Sequence, residues 1–493
     1  MKTRHRQICL GELGLKTTSW WNKTNRTAVF ACLTVMIAVA AVLVWGNHPV
    51  SAAAVTGDKE SSALHQIADD IEQQNSFYVS PRGDDSSAGT QENPWRTLSS
   101  AIKRLKPGDT LYVRAGFYKG SVDFSVSGRS DAPILITAYP GETPVIDGDE
   151  YTYPQTYWGS LMKVSGNYVN VSGFEVQYSN YMGVLVTGKF STVSNLNVHH
   201  NMENGIFLLG DNTVADGNTV WMNCLSNENG SFTRTSWASG LSAGRSPNFA
   251  IIRNNKVYNN FGEGLSTYEA NGTLIEGNEV YDNWATNIYI SDATNVILRN
   301  NYIYDTDETL GKNGNYVGIM LGDERYDPPS EGIVIVDNIV NNTNINLYWW
   351  QGVEGGGMKD VTIRNNTFIN SRERTNIRIN NGPHENVVFS DNVILQQDTL
   401  PISSIYVNDG ISLFRNLWSK APNKNAQGDG DIIATFETWA AYALWTGRGS
   451  MDRLDLATTI SGFAWNNLTP VMLSELMPCG QFNYNRMNQN FCR

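Results

Sequence analysis

Residues 270–305, ANGTLIEGNEVYDNWATNIYISDATNVILRNNYIYD, contain one unit written twice. GNEV (277–280) and NNYI (300–303) stand 23 positions apart, each preceded by a short stretch rich in branched residues and followed by a turn. The unit extends well beyond this window. GFEV, NLNV, GNTV, NNKV, GNEV, NNYI, DNIV, NNTF, DNVI and RNLW align on their second residue, at Phe174, Leu196, Asn218, Asn255, Asn278, Asn301, Asn338, Asn366, Asn392 and Asn416. The intervals are 22, 22, 37, 23, 23, 37, 28, 26 and 24, a period of 22–23 broken by two insertions. Such a period marks a solenoid in which each repeat is one turn.

Every turn holds several strand-sized segments and none long enough for a helix. The expected fold is therefore all-β, a single-stranded right-handed parallel β-helix. Coils stack at about 4.8 Å, so equivalent Asn side chains in successive coils can hydrogen-bond along the axis as they do in cross-β amide ladders. The Asn column is read as structural. A second strand in each coil opens with Gly or Asn: GIFLLG, GLSAGR, GLSTYE, NIYISD, GIMLGD, NINLYW, NIRINN. Ahead of the repeats, Leu98, Ile102 and Leu105 share one helical face and Pro107-Gly108 follows, which predicts an N-terminal amphipathic helix cap.

Composition agrees with this architecture. Gly numbers 44 and charged residues make up 17%, below the ~25% of an average domain. Net charge is −12, and because the first 52 residues hold six Lys/Arg against one acid, the remainder carries −17. A surface of that sign repels phosphate backbones, so nucleic acid is not an expected partner. An anionic polymer would need a bridging cation or a local group of arginines.

Residues 28–45 form an uncharged apolar run of 18 behind Lys2, Arg4, Arg6, Lys16, Lys23 and Arg26. At ~1.5 Å per residue it spans about 27 Å, enough for a bilayer. We expect residues 1–54 to be a cytoplasmic lead with a signal peptide or signal anchor, 55–76 a polar linker, 77–418 the β-helix with its cap, and 419–493 a tail of unassigned role. The body is expected outside the cell or at its surface, as a monomer that meets the membrane through the apolar run alone. Cys479 and Cys492 are a candidate pair, Phe436 to Leu444 a candidate helix, and Cys224 reads as a buried thiol.

The segment FYVSPRGDDSSAGTQENPWRTLSSAIKRLKPGDTLYVRAGFY (77–118) resembles the opening of exported β-helix proteins of the pectate-lyase-like superfamily, family 9 pectate lyases among them. The resemblance runs to about Trp418. It implies a right-handed parallel β-helix and one of several functions: polysaccharide lyase, glycoside hydrolase, uronate epimerase or non-catalytic surface protein. A family 9 lyase implies a lysine base beside a calcium held by aspartates, whereas no Asp-Asp-rich coil with a matching lysine occurs here. Pro383-His384-Glu385 is similar to the Asp-Pro-His-Glu motif of alginate epimerases, with Gly382 in place of the acid.

Aligning the second strands on Ile206, Leu241, Leu265, Ile288, Ile319, Ile345, Ile377 and Ile405 predicts an outward column of Phe207, Ser242, Ser266, Tyr289, Met320, Asn346, Arg378 and Tyr406. The column at the strand ends reads Gly210, Arg245, Glu269, Asp292, Asp323, Trp349, Asn381 and Asp409. Glu269, Asp292 and Asp323, about one coil spacing apart, are the candidate catalytic acids and the candidate calcium ligands. Two carboxyls at that spacing suit glycoside hydrolysis. A cation on them would neutralise a uronate in a lyase, with Tyr289 or Arg378 near the C5 proton. Arg245, Glu263, Tyr268, Arg325, Trp349 and Trp350 are the candidate substrate-binding residues, the aromatic ones offering faces to sugar C–H groups. In all of these roles the acids compete with a plain reading as coil-corner residues, and Asp323-Glu324-Arg325 with a self-neutralised loop. The expectation is a polysaccharide-binding protein that cleaves its ligand as lyase or hydrolase. The alternative is a non-catalytic glycan-binding or structural protein of the cell surface.

Overall fold

The computed structural model describes residues 75–150, 159–227, 238–245, 248–306, 315–325 and 330–433. The apolar run, most of the linker, the candidate helix at Phe436 and the Cys479–Cys492 pair lie outside them. Three parallel sheets of 13, 11 and 13 strands wind around one core. Consecutive coils pair in register, for example Ile252 with Ile275, Ile275 with Leu298 and Leu298 with Ile335. About half of the strands are three residues long, and in the two 13-stranded sheets such a strand points its middle side chain inward. Val257, Val280 and Ile303 in one sheet and Ile252, Ile275 and Leu298 in another are fully buried, and stacking of such residues supplies the apolar burial that drives folding. The sheets continue past Trp418, whose strand pairs with Ile432–Ile433.

The helix Leu98–Ile102 is capped by Thr97, whose hydroxyl accepts from the Ser100 amide. Its buried Leu98, Ala101 and Ile102, with Leu105 beyond, join the main core, so it closes the apolar stack at that end.

The Asn column forms a buried ladder. Asn278 donates through Nδ2 to Asn301 Oδ1 at 2.9 Å and to the Ile252 carbonyl at 3.0 Å, and its backbone N–H also reaches Asn301 Oδ1 at 2.9 Å. The same pattern repeats from Asn218 through Asn416, across the separations of 37, 23, 23, 37, 28, 26 and 24 residues. Each rung satisfies a corner whose backbone would otherwise be buried without partners.

A second amide ladder, Asn201, Asn223, Asn260, Asn283 and Asn287, runs along the corner where each coil enters the 11-stranded sheet. It explains why strands of that sheet open with Gly or Asn. A Cβ on Gly240 or Gly264 would come within 2.5 or 2.4 Å of Nδ2 of Asn260 or Asn283. Where the strand opens with Asn287, that residue itself supplies the rung.

Candidate active site

The 11-stranded sheet carries a cleft of about 800 Å³ on its outer face. Its floor is built from two outward columns. One runs Leu185, Phe207, Ser242, Ser266, Tyr289, Met320, Tyr348 and Arg378 in register. The other, on the same strands, includes Ser239 paired with Glu263, then Thr286 paired with Val317 and Val317 with Ile345. Three small residues, Ser239, Ser242 and Ser266, lower the floor between the rings of Phe207 and Tyr289, and the Glu263 carboxyl sits at this depression. Tyr268, Tyr348 and Trp350 add aromatic surface.

Glu263 Oε2 accepts from Ser239 Oγ at 2.8 Å, and Ser239 Oγ lies 2.7 Å from Ser266 Oγ. Burial pushes the Glu263 carboxyl up to about 7, against the hydrogen bonds from Ser239 and Ser266 and with the help of the nearby Glu324 charge. Across the same cleft the Tyr289 hydroxyl donates to Glu324 Oε1 at 2.6 Å. Burial, then the Glu324 charge, raises the Tyr289 phenol far above its ordinary value. Tyr289 is therefore held as a proton donor, which does not suit the expected role of C5 base.

The expected acidic triad occupies one column, as backbone bonds from Glu269 to Ser291 and from Asp292 to Gly322 require. None of the three lines the cleft. Asp292 is fully buried, and its Oδ1 accepts from the amides of Glu324 and Arg325 at 2.9 and 2.8 Å while Oδ2 accepts from Ser291 Oγ at 2.9 Å. Asp323 takes the amide of Ser330 at 2.8 Å on one oxygen and that of Gly357 at 3.0 Å on the other. Glu269 faces guanidinium groups, Arg325 at 2.7 Å and Arg245 at 3.9 Å. Glu269 and Asp292 have left-handed backbones, φ 51° and 48°, which turn them out of the strand direction at the coil corner. These carboxylates are surrounded by donors, whereas calcium asks for six to eight oxygen ligands. The triad does not fit a calcium ion. Among the described residues no other group of three or more His, Cys, Asp or Glu side chains is arranged to hold a metal.

The expected column also changes register after Met320. Ile319 pairs with Leu347 rather than Ile345, and Ile379 with Ile405. Tyr348 replaces Asn346 on the floor, and Ser404 replaces Tyr406 beside Arg378. Trp349 pairs with the inward Leu321 and is 1% exposed, so it is a core residue and not a sugar platform. A shift of two residues preserves which side chains face inward, and hydrophobic alternation therefore cannot detect it. Trp350, Arg245, Glu263, Tyr268, Tyr289 and Arg325 do line the cleft. Arg378 lies over the rings of Tyr348 and Tyr406, 5.0 and 5.8 Å from their centroids. His384 of the Pro-His-Glu segment packs edge-on against Trp349 at 5.1 Å and accepts from the Met358 amide.

Sequence periodicity does not single out Glu324, Glu203 or Arg374, which also line the cleft. Glu324 lies just past the end of strand Val317–Asp323, inside an insertion, where repeat alignment gives no register. Its signal was the length of that insertion, since extra loop in a solenoid tends to carry binding residues.

The arrangement defines a parallel β-helix with an acidic and aromatic cleft on one sheet. The chain belongs to the Pel9A-like, right-handed β-helix family, whose model matches residues 77–386. It is 30% identical over 155 residues to pectate lyase L of Dickeya dadantii, a match covering 29% of this chain and 35% of that enzyme. The aligned stretch thus spans about a third of that relative's length. Among solved structures, the lacto-N-biosidase of Eubacterium ramulus aligns at 16% identity and a TM-score of 0.49, over 73% of this chain and 70% of that one. Pectate lyase Pel9A aligns at 19% identity and 0.43, over 67% and 78%. Among the described residues that line the cleft there is no lysine, in contrast to the lysine base that the family resemblance implies.

Proposed function

We propose that the chain hydrolyses a polysaccharide in this cleft, with Glu263 as the proton donor and Glu324 as its carboxylate partner. One observation carries the reading: a carboxyl that burial keeps protonated to about pH 7 shares a cleft with a second carboxylate held by a tyrosine hydroxyl. Acid–base assignments follow from such unequal environments. In the proposed step the glycosidic C–O bond breaks as its oxygen takes the Glu263 proton. Water adds to the anomeric carbon and delivers its proton to the Glu324 side of the cleft, so one water is consumed per bond. Tyr289 orients Glu324, and Tyr268, Tyr348 and Trp350 stack the sugars. No step is routed through calcium.

The pectate lyase relatives favour a second reading, β-elimination, which yields an unsaturated, ultraviolet-absorbing end instead of consuming water. Non-catalytic glycan binding is the third. We propose further that the N-terminal apolar run exports the chain, so that each of these activities acts outside the cell. Incubating the full chain with a polysaccharide panel separates them. Hydrolysis gives new reducing ends without ultraviolet absorbance, and Glu263→Gln and Glu324→Gln each remove at least a hundredfold of the rate. Binding with neither product defeats the catalytic reading.

A further inference from the structure

We infer that the cleft is built for a neutral glycan rather than a polyuronate; this rests on the hydrolytic reading and names its substrate class. A chain with this overall charge could hold an anionic polymer only through a bridging cation or uncommitted arginines. Among the described residues around the cleft the first condition is not met, and the second is met by one arginine alone. The candidate cation ligands Asp292 and Asp323 spend their oxygens on loop amides and, at Asp292 Oδ2, on the Ser291 hydroxyl. Of the three arginines among the described lining residues, Arg245 and Arg325 face the same carboxylate, Glu269, lodged beside them and only 19% exposed. Arg325 also lies over the Tyr268 ring at 5.3 Å, so its flat face is already in contact. Arg374, the third, is exposed and makes no ion pair with a described residue, so a single guanidinium is left to receive a substrate charge.

Against these stand three carboxyl side chains in the lining itself, Glu203, Glu263 and Glu324. With Glu263 protonated, Glu203, Glu324 and Glu269 face three arginines, so the described residues of the site offer a polyanion no surplus of positive charge. A uronate polymer presents one carboxylate per sugar, roughly every 5 Å, comparable to the coil spacing. Substrate carboxylates at that spacing would pass close to Glu203 and Glu324, in surroundings where water screens poorly and like charges repel strongly. A neutral sugar meets no such penalty. Its hydroxyls find Ser239, Ser242, Ser266 and Asn204, and its C–H faces find the aromatic rings.

The test compares turnover and binding by the full chain on matched polymers: polygalacturonate and its carboxyl-reduced form, with neutral galactans, xylans, mannans and glucans. The inference expects new reducing ends from a neutral polymer at least tenfold faster than from any uronate polymer, with a KM that does not move with ionic strength. It also expects Glu269→Gln, which releases Arg245 and Arg325, to tighten binding of a galacturonate oligosaccharide about tenfold while leaving neutral-oligosaccharide binding within twofold. Saturated products formed from uronate polymers alone would overturn the neutral class and leave hydrolysis standing. Neutral oligosaccharides bound without cleavage would support the class and defeat hydrolysis. Unsaturated products from polygalacturonate, or no binding to any neutral polymer, would overturn the inference.

Discussion

The Tyr289 hydroxyl reaches Glu324 at 2.6 Å over a backbone position, Gly322, where a Cβ would lie 2.7 Å from that same oxygen. A glycine in the strand below thus clears the path by which a floor tyrosine holds a cleft carboxylate.

From this contact we predict that Gly322→Ala and Tyr289→Phe act alike. Losing a hydrogen bond to a charged group costs about 1.5–3 kcal/mol, or roughly 10- to 100-fold in kcat/KM. Both variants should fold, with urea midpoints close to the parent. A Tyr289→Phe enzyme of undiminished kcat/KM would show that the hydroxyl does not position Glu324.

Glu263 fixes a pH dependence. Burial raises its carboxyl to about 7, so activity that needs the protonated form falls as pH climbs through that value. Stability moves with the same sign. The folded state binds the proton more tightly than the unfolded chain, whose carboxyl titrates near 4.5, and stability declines as pH rises from about 4.5 to about 7. Glu263→Gln should flatten part of that decline in urea titrations. Asp305, buried and also raised to about 7, leaves a residual slope of the same sign. An identical slope in parent and variant would contradict the assignment.

Asp292 is predicted to be a positioning residue rather than an acid that meets substrate. Asp292→Asn keeps an oxygen for the amides of Glu324 and Arg325 and should retain kcat within about threefold. Asp292→Ala releases both amides and should lower kcat tenfold or more, with faster hydrogen exchange at Glu324 and Arg325. Equal losses in both variants, with no change in exchange, would return Asp292 to the chemistry.

Asn278→Leu removes a rung of the ladder and takes a partner from the Asn255 backbone N–H, from Asn255 Nδ2 and from the Ile252 carbonyl. At about 1–3 kcal/mol for each buried unsatisfied group, the variant should lose several kcal/mol in urea unfolding, with KM unchanged in whatever fraction folds. Unaltered stability would contradict the ladder's role.

The solenoid was legible because its period is carried by buried residues that tolerate little else: the Asn218 to Asn416 rungs and the branched side chains beside them. The second ladder was hidden because its rungs alternate between two solutions, a Gly that makes room for the neighbour's amide and an Asn287 that supplies one. In the site, alternation places Tyr289, Ser266 and Tyr268 correctly but cannot tell Asn346 from Tyr348, two residues on. Acids at coil corners look alike in sequence whether they face a cleft or a backbone amide. Glu269, Asp292 and Asp323 became the visible pattern because they repeat, while Glu324 does not repeat and sits in an insertion.

The most direct test of the acid–base pair is cleavage of a neutral polysaccharide by the full chain in water enriched with heavy oxygen, followed by mass spectrometry of the products. The account predicts one heavy oxygen at each new reducing end, lost with the activity in Glu263→Gln. Products that carry a double bond and no solvent oxygen would contradict it.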